Sequence, residues 1–297
     1  MSNLHSNKKI SSKKYLAHNA KYYARLAETE EDFKRVFRIR YLVFHDELGE
    51  APYNKTGLES DEFDKYADYI VLCEKKTDEI VGLYRTVPHH KRHPEIGFYT
   101  NIEFNLDPIL KNPKYRDSSA ELGRLVILKE HRGGTNLKCM WMGLLQYCID
   151  NKIRYLLGCG SLQTGITKEE VEELLWTLKT KKLIKNEPPI KPRLPSEQRV
   201  LCQKYLNKPP NPSYASAPDS VIEYKKPTSP PKGVKLPSLL TRYQQVGAVL
   251  VGEPAYDGYD FGTYDFYVMI DRKTLRTRLV ILVLKADLRK DRRKVKK

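Results

Sequence analysis

The chain has 297 residues, with 53 Lys or Arg against 37 Asp or Glu, which gives a formal net charge of +16. Its 40% apolar content excludes a disordered protein. Its five scattered cysteines form no CxxC pair, which argues against a disulfide framework or a zinc site. No apolar run reaches the ~18 residues of a membrane-spanning helix. These totals predict a folded cytoplasmic protein whose positive surface attracts an acidic partner, such as nucleic acid, anionic lipid or an acidic carrier protein.

The first third of the chain predicts a basic arm, a helix and a hairpin. Residues 1–20 are polar and basic, and we expect them to form a mobile arm. The helix begins with a capping box at Thr29 and carries aromatic residues at helical spacing, with Arg40 on the same face. Arg40 is either a packed arginine whose head group reaches water or an anion receptor at a cleft. Strand patterns over 69–73 and 80–87 follow as a hairpin.

The second strand of this hairpin places a charge among aliphatic neighbours. Val81, Leu83, Arg85 and Val87 share one face, because side chains alternate along a strand. A buried arginine needs an anion, which is either an internal acid such as Asp64 or a ligand. The nearby histidine-rich sequence HHKRH predicts a solvated basic loop, and no metal site is expected.

Residues 118–162 carry the most information about function. A strand pattern over 122–128 leads into the basic glycine loop Arg132-Gly133-Gly134-Thr135, followed by a helix pattern over 136–151 and a second strand over 153–157. A strand, a glycine loop and a helix in this order present backbone N–H groups to a phosphate. In isolation, a glycine pair is also typical of a plain turn.

The first of these strands also carries two charges, Glu121 and Arg124. Strict alternation would place them on opposite faces, whereas a bulge at Gly123 would bring them to the same side. Glu121 could then take a proton from an attacking amine, and Arg124 could hold a substrate carboxylate by a two-pronged contact. An ion pair between the two residues that braces the bulge would explain the same spacing.

The rest of the chain predicts a helix over 167–183, a long irregular basic segment rich in proline over 186–235, and a helix followed by a strand over 236–251. Two further strand patterns cover 264–270 and 279–284, and the charge run after them predicts a solvated tail.

In this order, the motifs resemble those of the ornithine lipid N-acyltransferases, also described as hemolysin-like, within the acetyltransferase-like (GNAT) superfamily. The matching motifs are RYLVF (40–44), DEFD (61–64), VGLYR (81–85), FY (98–99), EF (103–104), ELGR (121–124), HRGG (131–134), LLGCGSL (156–162), LPSLL (236–240) and DFGTYD (260–265). The N-terminal half is also similar to the acyl-homoserine-lactone synthases and the long-chain N-acyl amino acid synthases.

The resemblance implies an α/β (α+β) fold, the GNAT-like acyl-CoA N-acyltransferase fold, in which helices flank a mixed, strongly bent sheet. It implies one acyltransferase domain over 21–272 that includes the proline-rich excursion at 186–235. The basic arm, 1–20, precedes this domain, and a terminal strand and basic tail, 273–297, follow it.

The resemblance also implies an activity, the amide-forming transfer of a (3-hydroxy) fatty acyl group from acyl carrier protein to the α-amine of ornithine, which gives lyso-ornithine lipid. The donor is then a phosphopantetheine thioester that serves as a co-substrate, and no bound cofactor is expected. The loop departs from the coenzyme A pattern, with Glu130 first and Thr135 last around Gly133, which favours the single phosphate of a carrier's arm.

Under this hypothesis Glu121 is the catalytic base, and strand N–H groups past Arg124 stabilise the thioester oxygen. The loop residues Arg132, Gly133, Gly134 and Thr135 bind the pantetheine phosphate. The candidate substrate-binding residues are Arg40, Asp61, Asp64, Arg85, Glu103, Phe104 and Arg124. The arginines Arg85 and Arg124 would hold the amino acid carboxylate, and the acids would either bind the side-chain ammonium of ornithine or brace these arginines.

The net charge then predicts docking of an acidic acyl carrier protein and loose attachment to the anionic inner face of the membrane. Two alternatives stay open. One is a long-chain N-acyl amino acid synthase with another acceptor, such as glycine or tyrosine. The other is a nucleic-acid-binding protein, but we expect no specific nucleic acid, because the positive charge collects at the chain ends and in the proline-rich segment, away from the cleft motifs.

Overall fold

The computed structural model describes residues 15–206, 219–222, 233, 235–258 and 261–275. The strand pattern at 279–284, the basic tail, most of the predicted arm and parts of the proline-rich segment lie outside these residues. All five cysteines lie within them, and none of the five is joined in a disulfide. Among the helices of those residues, none combines the length and the apolar composition that crossing a bilayer requires.

The described residues contain eleven strands and eight α-helices. The strands are β1 (Ala17–His18), β2 (Tyr22–Leu26), β3 (Asp68–Glu74), β4 (Ile80–Pro88), β5 (Phe104–Asn105), β6 (Ser119–Ile127), β7 (Tyr155–Ser161), β8 (Ile184–Lys185), β9 (Lys191–Pro192), β10 (Val249–Tyr256) and β11 (Tyr264–Asp271). The helices are α1 (Glu30–Tyr41), α2 (Thr100–Glu103), α3 (Asp107–Leu110), α4 (Pro113–Arg116), α5 (Gly134–Asp150), α6 (Lys168–Thr180), α7 (Pro195–Tyr205) and α8 (Ser238–Val246). A π-helical segment, Leu42–Glu47, extends α1, and a 3-10 helix, Glu62–Tyr66, precedes β3.

Nine strands form one mixed sheet in the order β1-β2-β3-β4-β6-β7-β11-β10-β8, and β5 and β9 form a separate antiparallel pair. Neighbours in the large sheet are antiparallel, except that β7 runs parallel to β6 and β8 runs parallel to β10. The prediction of a mixed sheet flanked by helices is therefore confirmed.

Local sequence signals explain where the two amphipathic helices begin. The Thr29 hydroxyl accepts a hydrogen bond from the Asp32 N–H (3.1 Å), and the Asp32 carboxylate accepts one from the Thr29 N–H (3.3 Å). This is the predicted capping box of α1. Thr167 and Glu170 form the same reciprocal pair at the start of α6. The hairpin predicted from the period-two pattern is present as β3 and β4.

The alternation of side chains along β11 separates two cores on opposite faces of the sheet. Phe266 and Val268 pack with apolar residues of α6 and with Leu240 of α8. Tyr267 and Met269 alternate with them and pack on the other face with residues of β5 and α3. The sheet is thus the middle layer of three.

The strand β3 divides the other end of the molecule in the same way. Ile70 and Leu72 pack with α5, whereas Val71 packs with α1 on the opposite face. Helix α5 lies beside α8, where the ring centres of Trp141 and Tyr243 are 5.9 Å apart. One face of the sheet is therefore covered by α5, α6 and α8, and the other by α1, α2 and α3.

The parallel strands β6 and β7 pair over only part of their length. Their last paired residues are Glu121 and Leu157, although both strands continue. The next residues still touch closely, since a Cβ at Gly158 would lie 2.3 Å from the carbonyl oxygen of Leu122. Beyond this contact the two strands part, and the gap between them opens through the middle of the sheet.

Three segments differ from their prediction. The sheet begins inside the predicted arm, because β1 pairs with β2 through Ala17 and His18. Helix α7 lies within the segment 186–235 that was predicted to be irregular, and a proline at its first position suits a helix start. Val81 packs in the core beneath α5 and not on the face of Leu83, because the β3–β4 register shifts beside it.

We expect Gly158→Ala to weaken the fold, because its methyl group would meet the backbone of β6 and force the paired strands apart. Overpacking of this kind costs about 1–3 kcal/mol of the free energy of unfolding. Gly134→Ala is the matched control, since nothing lies within 4 Å of a Cβ at that position. Urea unfolding followed by circular dichroism measures both variants, and equal midpoints would contradict the prediction.

Candidate active site

A cavity of about 720 Å³ opens where β6 and β7 part, and residues from both faces of the sheet line it. The face covered by α2 contributes mostly polar residues, namely Tyr99, Thr100, Glu103, Glu121, Arg124 and Asp265. The face covered by α5 and α8 contributes mostly apolar residues, namely Trp141, Leu144, Leu145, Leu240, Tyr243 and Val268. The volume is within the range of small-molecule binding sites.

A β-bulge changes the direction of the side chains of β6 at the cavity. Between the cross-strand pairs Leu83–Val126 and Arg85–Gly123, β6 has one more residue than β4. Arg124 lies in this extra stretch with a φ of 54°, in the left-handed region that non-glycine residues seldom adopt. The bulge predicted at Gly123 is therefore present one residue further along the strand.

The bulge leaves both Glu121 and Arg124 on the cavity wall. Glu121 is 3% exposed, and its carboxylate accepts hydrogen bonds from the Tyr99 N–H (3.0 Å), the Thr100 N–H (2.6 Å) and the Thr100 hydroxyl (2.6 Å). Burial raises the pKa of Glu121 against the opposing effects of Arg85 and these hydrogen bonds. A buried carboxylate with a raised pKa is suited to accept a proton near neutral pH.

A buried network of three arginines and three carboxylates lies behind this wall. Its members are Arg40, Arg85, Arg124, Glu59, Asp61 and Asp64. The network joins α1, the segment 59–66, β4 and β6. Equal numbers of opposite charges make this burial tolerable, because an unpaired ion in the interior costs several kcal/mol. The internal ion pair predicted between Arg85 and Asp64 is present at 3.0 Å.

Asp61 is the centre of the network. Its carboxylate accepts two hydrogen bonds of 2.7 Å from Arg85 Nη1 and one of 3.0 Å from Arg124 Nη2, and it lies 3.6 Å from Arg40 Nη2. Its side chain has no exposed surface. Burial raises the pKa of Asp61, but the three arginines outweigh burial and hold the pKa well below its ordinary value.

The head group of Arg124 lies between two aromatic rings at the cavity. Its Cζ is 5.0 Å from the ring centre of Tyr99 and 4.7 Å from that of Phe261. Because Nη2 also donates to Asp61, the orientation of the guanidinium is fixed. The cavity wall thus combines a fixed positive charge with the Glu121 carboxylate, an arrangement that can bind a carboxylate and an amine side by side.

A second group of acids lies on the same side of the cavity. One carboxylate oxygen each of Glu103 and Asp265 and the Sγ atom of Cys159 lie within 4.8 Å of one another. Burial raises the pKa of all three side chains, and Asp265 and Asp257 raise the pKa of Glu103 further. A thiol with a raised pKa stays protonated at neutral pH and is a poor metal ligand. The chemistry of the group therefore does not favour a metal.

The structure separates the predicted site residues into groups. Those that line the cavity are Arg85, Glu103, Glu121, Arg124 and Arg132. Those in the buried network behind its wall are Arg40, Asp61 and Asp64. Phe104 lies in the apolar core, with its ring centre 5.9 Å from that of Tyr267. The loop residues Gly133, Gly134 and Thr135 form the start of α5.

The glycine loop leaves the start of α5 open on one side. Nothing lies within 4 Å of a Cβ placed at Gly133 or Gly134, so an anion can approach the first N–H groups of the helix. Arg132 is held by its neighbours, since its Nη atoms pair with both carboxylate oxygens of Glu47 and its Nε donates to the Ile127 carbonyl (2.8 Å).

Sequence reasoning gave no role to three residues of the site, Thr100, Cys159 and Asp265. Asp265 interrupts an apolar strand between two aromatic residues. A charge in an apolar strand is the signal that singled out Glu121, and it applies equally to Asp265. Thr100 and Cys159 carry no such signal, because small, weakly polar residues are common in ordinary cores.

We expect Asp61→Asn to destabilise the protein by about 3–5 kcal/mol, because it leaves three buried arginines with two carboxylates. The pKa of Asp61 is depressed in the folded state, so its contribution is complete above the unfolded pKa of about 3.9 and is lost as the pH falls below that value. The difference between the two proteins should be widest near neutral pH and should shrink below about pH 4.

The control for this prediction is Asp117→Asn, which changes an exposed carboxylate paired with Arg116. Exposed pairs contribute little, so this variant should unfold almost like the parent protein at every pH. Urea midpoints measured at several pH values compare the proteins. Equal midpoints for the Asp61 and Asp117 variants near neutral pH would show that the network is not the support we describe.

A protein family, curated relatives and solved structures match this chain. The acetyltransferase (GNAT) domain family matches residues 39–142. An L-ornithine N(alpha)-acyltransferase of Rhodobacter capsulatus is 33% identical over 164 residues, which cover 52% of this chain and 62% of that protein. Another, from Rhizobium meliloti, is 26% identical over 257 residues, which cover 83% of this chain and 78% of that protein. A solved CoA-dependent acyl-homoserine lactone synthase matches 86% of this chain and 82% of its own with 14% identity and a TM-score of 0.46.

Two further L-ornithine N(alpha)-acyltransferases, from Brucella abortus and Agrobacterium fabrum, also match this chain. The chain covers less than two thirds of the Rhodobacter, Brucella and Agrobacterium proteins, with 62%, 53% and 49% of their lengths. The Rhizobium match extends over most of both chains. Four relatives with the same name and the GNAT domain match agree with the resemblance found in the sequence motifs. The chain is therefore similar to the acetyltransferase (GNAT) domain family over residues 39–142 and to relatives named L-ornithine N(alpha)-acyltransferases over longer segments.

Proposed function

We propose that this protein is an N-acyltransferase that moves a (3-hydroxy) fatty acyl group from an acyl carrier thioester to the α-amine of ornithine, which gives lyso-ornithine lipid. The observation that carries the proposal is the placement of Glu121 and Arg124 together on the wall of a cavity whose far side is apolar. The names of its relatives, L-ornithine N(alpha)-acyltransferases, support the reaction and the acceptor.

Glu121 is the catalytic base in this proposal. Only an amine with a free electron pair attacks a thioester, so the attacking nitrogen must give up a proton. Glu121 first accepts a proton from the α-ammonium and releases it to solvent, which frees the electron pair that adds to the carbonyl carbon. The C–N bond forms and the C–S bond breaks, and the second proton of the nitrogen passes through Glu121 to the leaving thiolate. Three hydrogen bonds to Glu121 fix its carboxylate for this exchange.

Arg124 holds the α-carboxylate of the acceptor, and its fixed orientation sets the position of the neighbouring α-amine. Arg40, Asp61 and Asp64 act on the substrate only through this arginine and Arg85, because they lie behind the cavity wall. The bulge leaves one residue of β6 outside the regular ladder, and Leu125 and Val126 beyond it line the cavity. Their N–H groups are candidates to stabilise the thioester oxygen.

The acyl chain occupies the part of the cavity between α5 and α8. Its lining there is almost entirely apolar, and the Tyr84 and Tyr243 hydroxyls bind each other at 2.9 Å. A fatty chain gains roughly 0.8 kcal/mol for each methylene group buried in such surroundings. The thioester then lies in the gap between β6 and β7, where the apolar chamber meets Glu121.

The donor's pantetheine phosphate binds at the start of α5, with Arg132, Gly133, Gly134 and Thr135 around it and Lys138 on the adjoining cavity wall. The net charge of +16 favours an acidic acyl carrier protein as the docking partner, since opposite charges speed encounter. The same charge favours loose contact with an anionic membrane surface, where a lyso-lipid product would be released.

We expect Glu121→Gln to lower kcat/KM for amide formation by about 10²- to 10⁴-fold, because the amide cannot accept the proton. The rate of the parent enzyme should rise with pH as Glu121 loses its proton, and the variant should lack this rise. Mass spectrometry of the product from a long-chain acyl carrier thioester and ornithine measures kcat/KM and its dependence on pH. Glu62→Gln, in the 3-10 helix away from the cavity, is the control, and unchanged turnover of Glu121→Gln would remove Glu121 as the base.

We expect Leu145→Trp to shift donor preference toward shorter acyl chains, because the larger side chain fills part of the apolar chamber. Each methylene group excluded from a pocket changes selectivity by about 10- to 200-fold. Competition between thioesters of graded chain length gives the ratio directly. The volume-conserving change Leu145→Met should keep the parent preference. An unchanged ratio in Leu145→Trp would show that the acyl chain of the donor does not occupy this part of the cavity.

A further inference from the structure

Two carboxylates on the polar side of the cavity have no cation assigned to them by the proposed mechanism. Glu103 is 1% exposed and Asp265 is 4% exposed, and both line the cavity. Their nearest oxygens lie within 4.8 Å of each other. The Oε2 atom of Glu103 has no hydrogen-bond partner among the described residues. A buried polar atom of this kind normally has a partner, so a ligand that donates a hydrogen bond would complete the site.

The charge around the pair favours a cation as that ligand. The side chains that act most strongly on Glu103 are the acids Asp265 and Asp257, and together with burial they raise its pKa well above the ordinary value. Arg124 partly offsets the negative charge at Asp265. Two carboxylates this close repel each other, and a single ammonium group bound between them relieves that repulsion.

The pair lies close to the proposed reaction centre. The Thr100 hydroxyl donates to Glu121 (2.6 Å), and the Cys159 thiol, which lies within the acid group, donates to the Thr100 hydroxyl (3.7 Å). One small side chain and a thiol therefore separate the base from the acid pair. The ligand that this arrangement favours is a diamine with a short alkyl stem, with one nitrogen at Glu121 and the other at the pair.

We propose that Glu103 and Asp265 bind the side-chain ammonium of the acceptor and thereby select ornithine over uncharged amino acids of the same length. The inference rests on the proposed function, because it requires the α-amine of an amino acid at Glu121. Asp265 belongs to β11 and Glu103 to α2, so the receptor is assembled from two distant parts of the chain. A site built around a buried polar pair discriminates strongly against ligands that leave the pair without a partner.

The test compares L-ornithine with L-norvaline, which has the same stem and lacks the terminal amine, using one acyl carrier thioester. The parent enzyme should prefer ornithine by at least about 10²-fold in kcat/KM. Asp265→Asn and Glu103→Gln should each reduce that preference by about 10-fold or more, because each removes a charged partner of the ammonium. Asp107→Asn, an exposed change in α3, should keep the parent preference.

Binding measured without donor gives a second readout that does not depend on turnover. Ornithine should bind the parent protein more tightly than norvaline in isothermal titration calorimetry, and the variants should lose the difference. An undiminished preference in both variants would overturn the inference and leave the proposed acyl transfer intact, whereas acylation of neither amino acid by the parent enzyme would overturn both. Loss of parent activity in a chelator, restored by a divalent ion, would assign the acid group to a metal and overturn the inference.

Discussion

The site depends on one buried carboxylate, Asp61, which three arginines surround. Each arginine comes from a different element, so the ion network fixes α1, β4 and β6 relative to one another. Such a network adds little net stability, because desolvation offsets most of the attraction between its charges. The network instead holds the elements that carry the three arginines in fixed positions. The bulge in β6 and the orientation of Arg124 persist because Asp61 accepts a hydrogen bond from that arginine.

Because β6 and β7 separate beyond their last paired residues, the sheet has a gap that connects its two faces. Alternate residues of the same strands carry the acids toward α2 and the apolar side chains toward α5 and α8. A charged head group and a hydrocarbon chain can therefore occupy opposite faces of one sheet and meet in the gap. Under the proposed function, this separation places a polar acceptor and a fatty acyl donor in a single cavity of about 720 Å³.

The sequence was informative where a charge interrupted an apolar strand. Glu121, Arg124 and Arg85 were singled out in this way, and all three line the cavity. The resemblance named Asp61 as an acid that could brace these arginines, but its central position was not predictable, because Asp61 lies in a loop and meets its arginines only through the packing of α1 against β4. Phe104 was a site candidate through the EF motif (103–104) of the resemblance, but the two residues diverge where α2 ends, and the ring enters the core.

Arg124 combines two properties that few residues can supply together. Its left-handed backbone stores about 1–3 kcal/mol of strain, which a glycine would relieve. A glycine would also remove the guanidinium between Tyr99 and Phe261, and a lysine would keep the strain while losing the planar, forked head. Replacement of Arg124 by glycine therefore loses the charge, and replacement by lysine keeps the backbone strain and loses the forked head group. Redesign of this side of the cavity will have to rebuild the backbone of β6 and its charge partners in the same step.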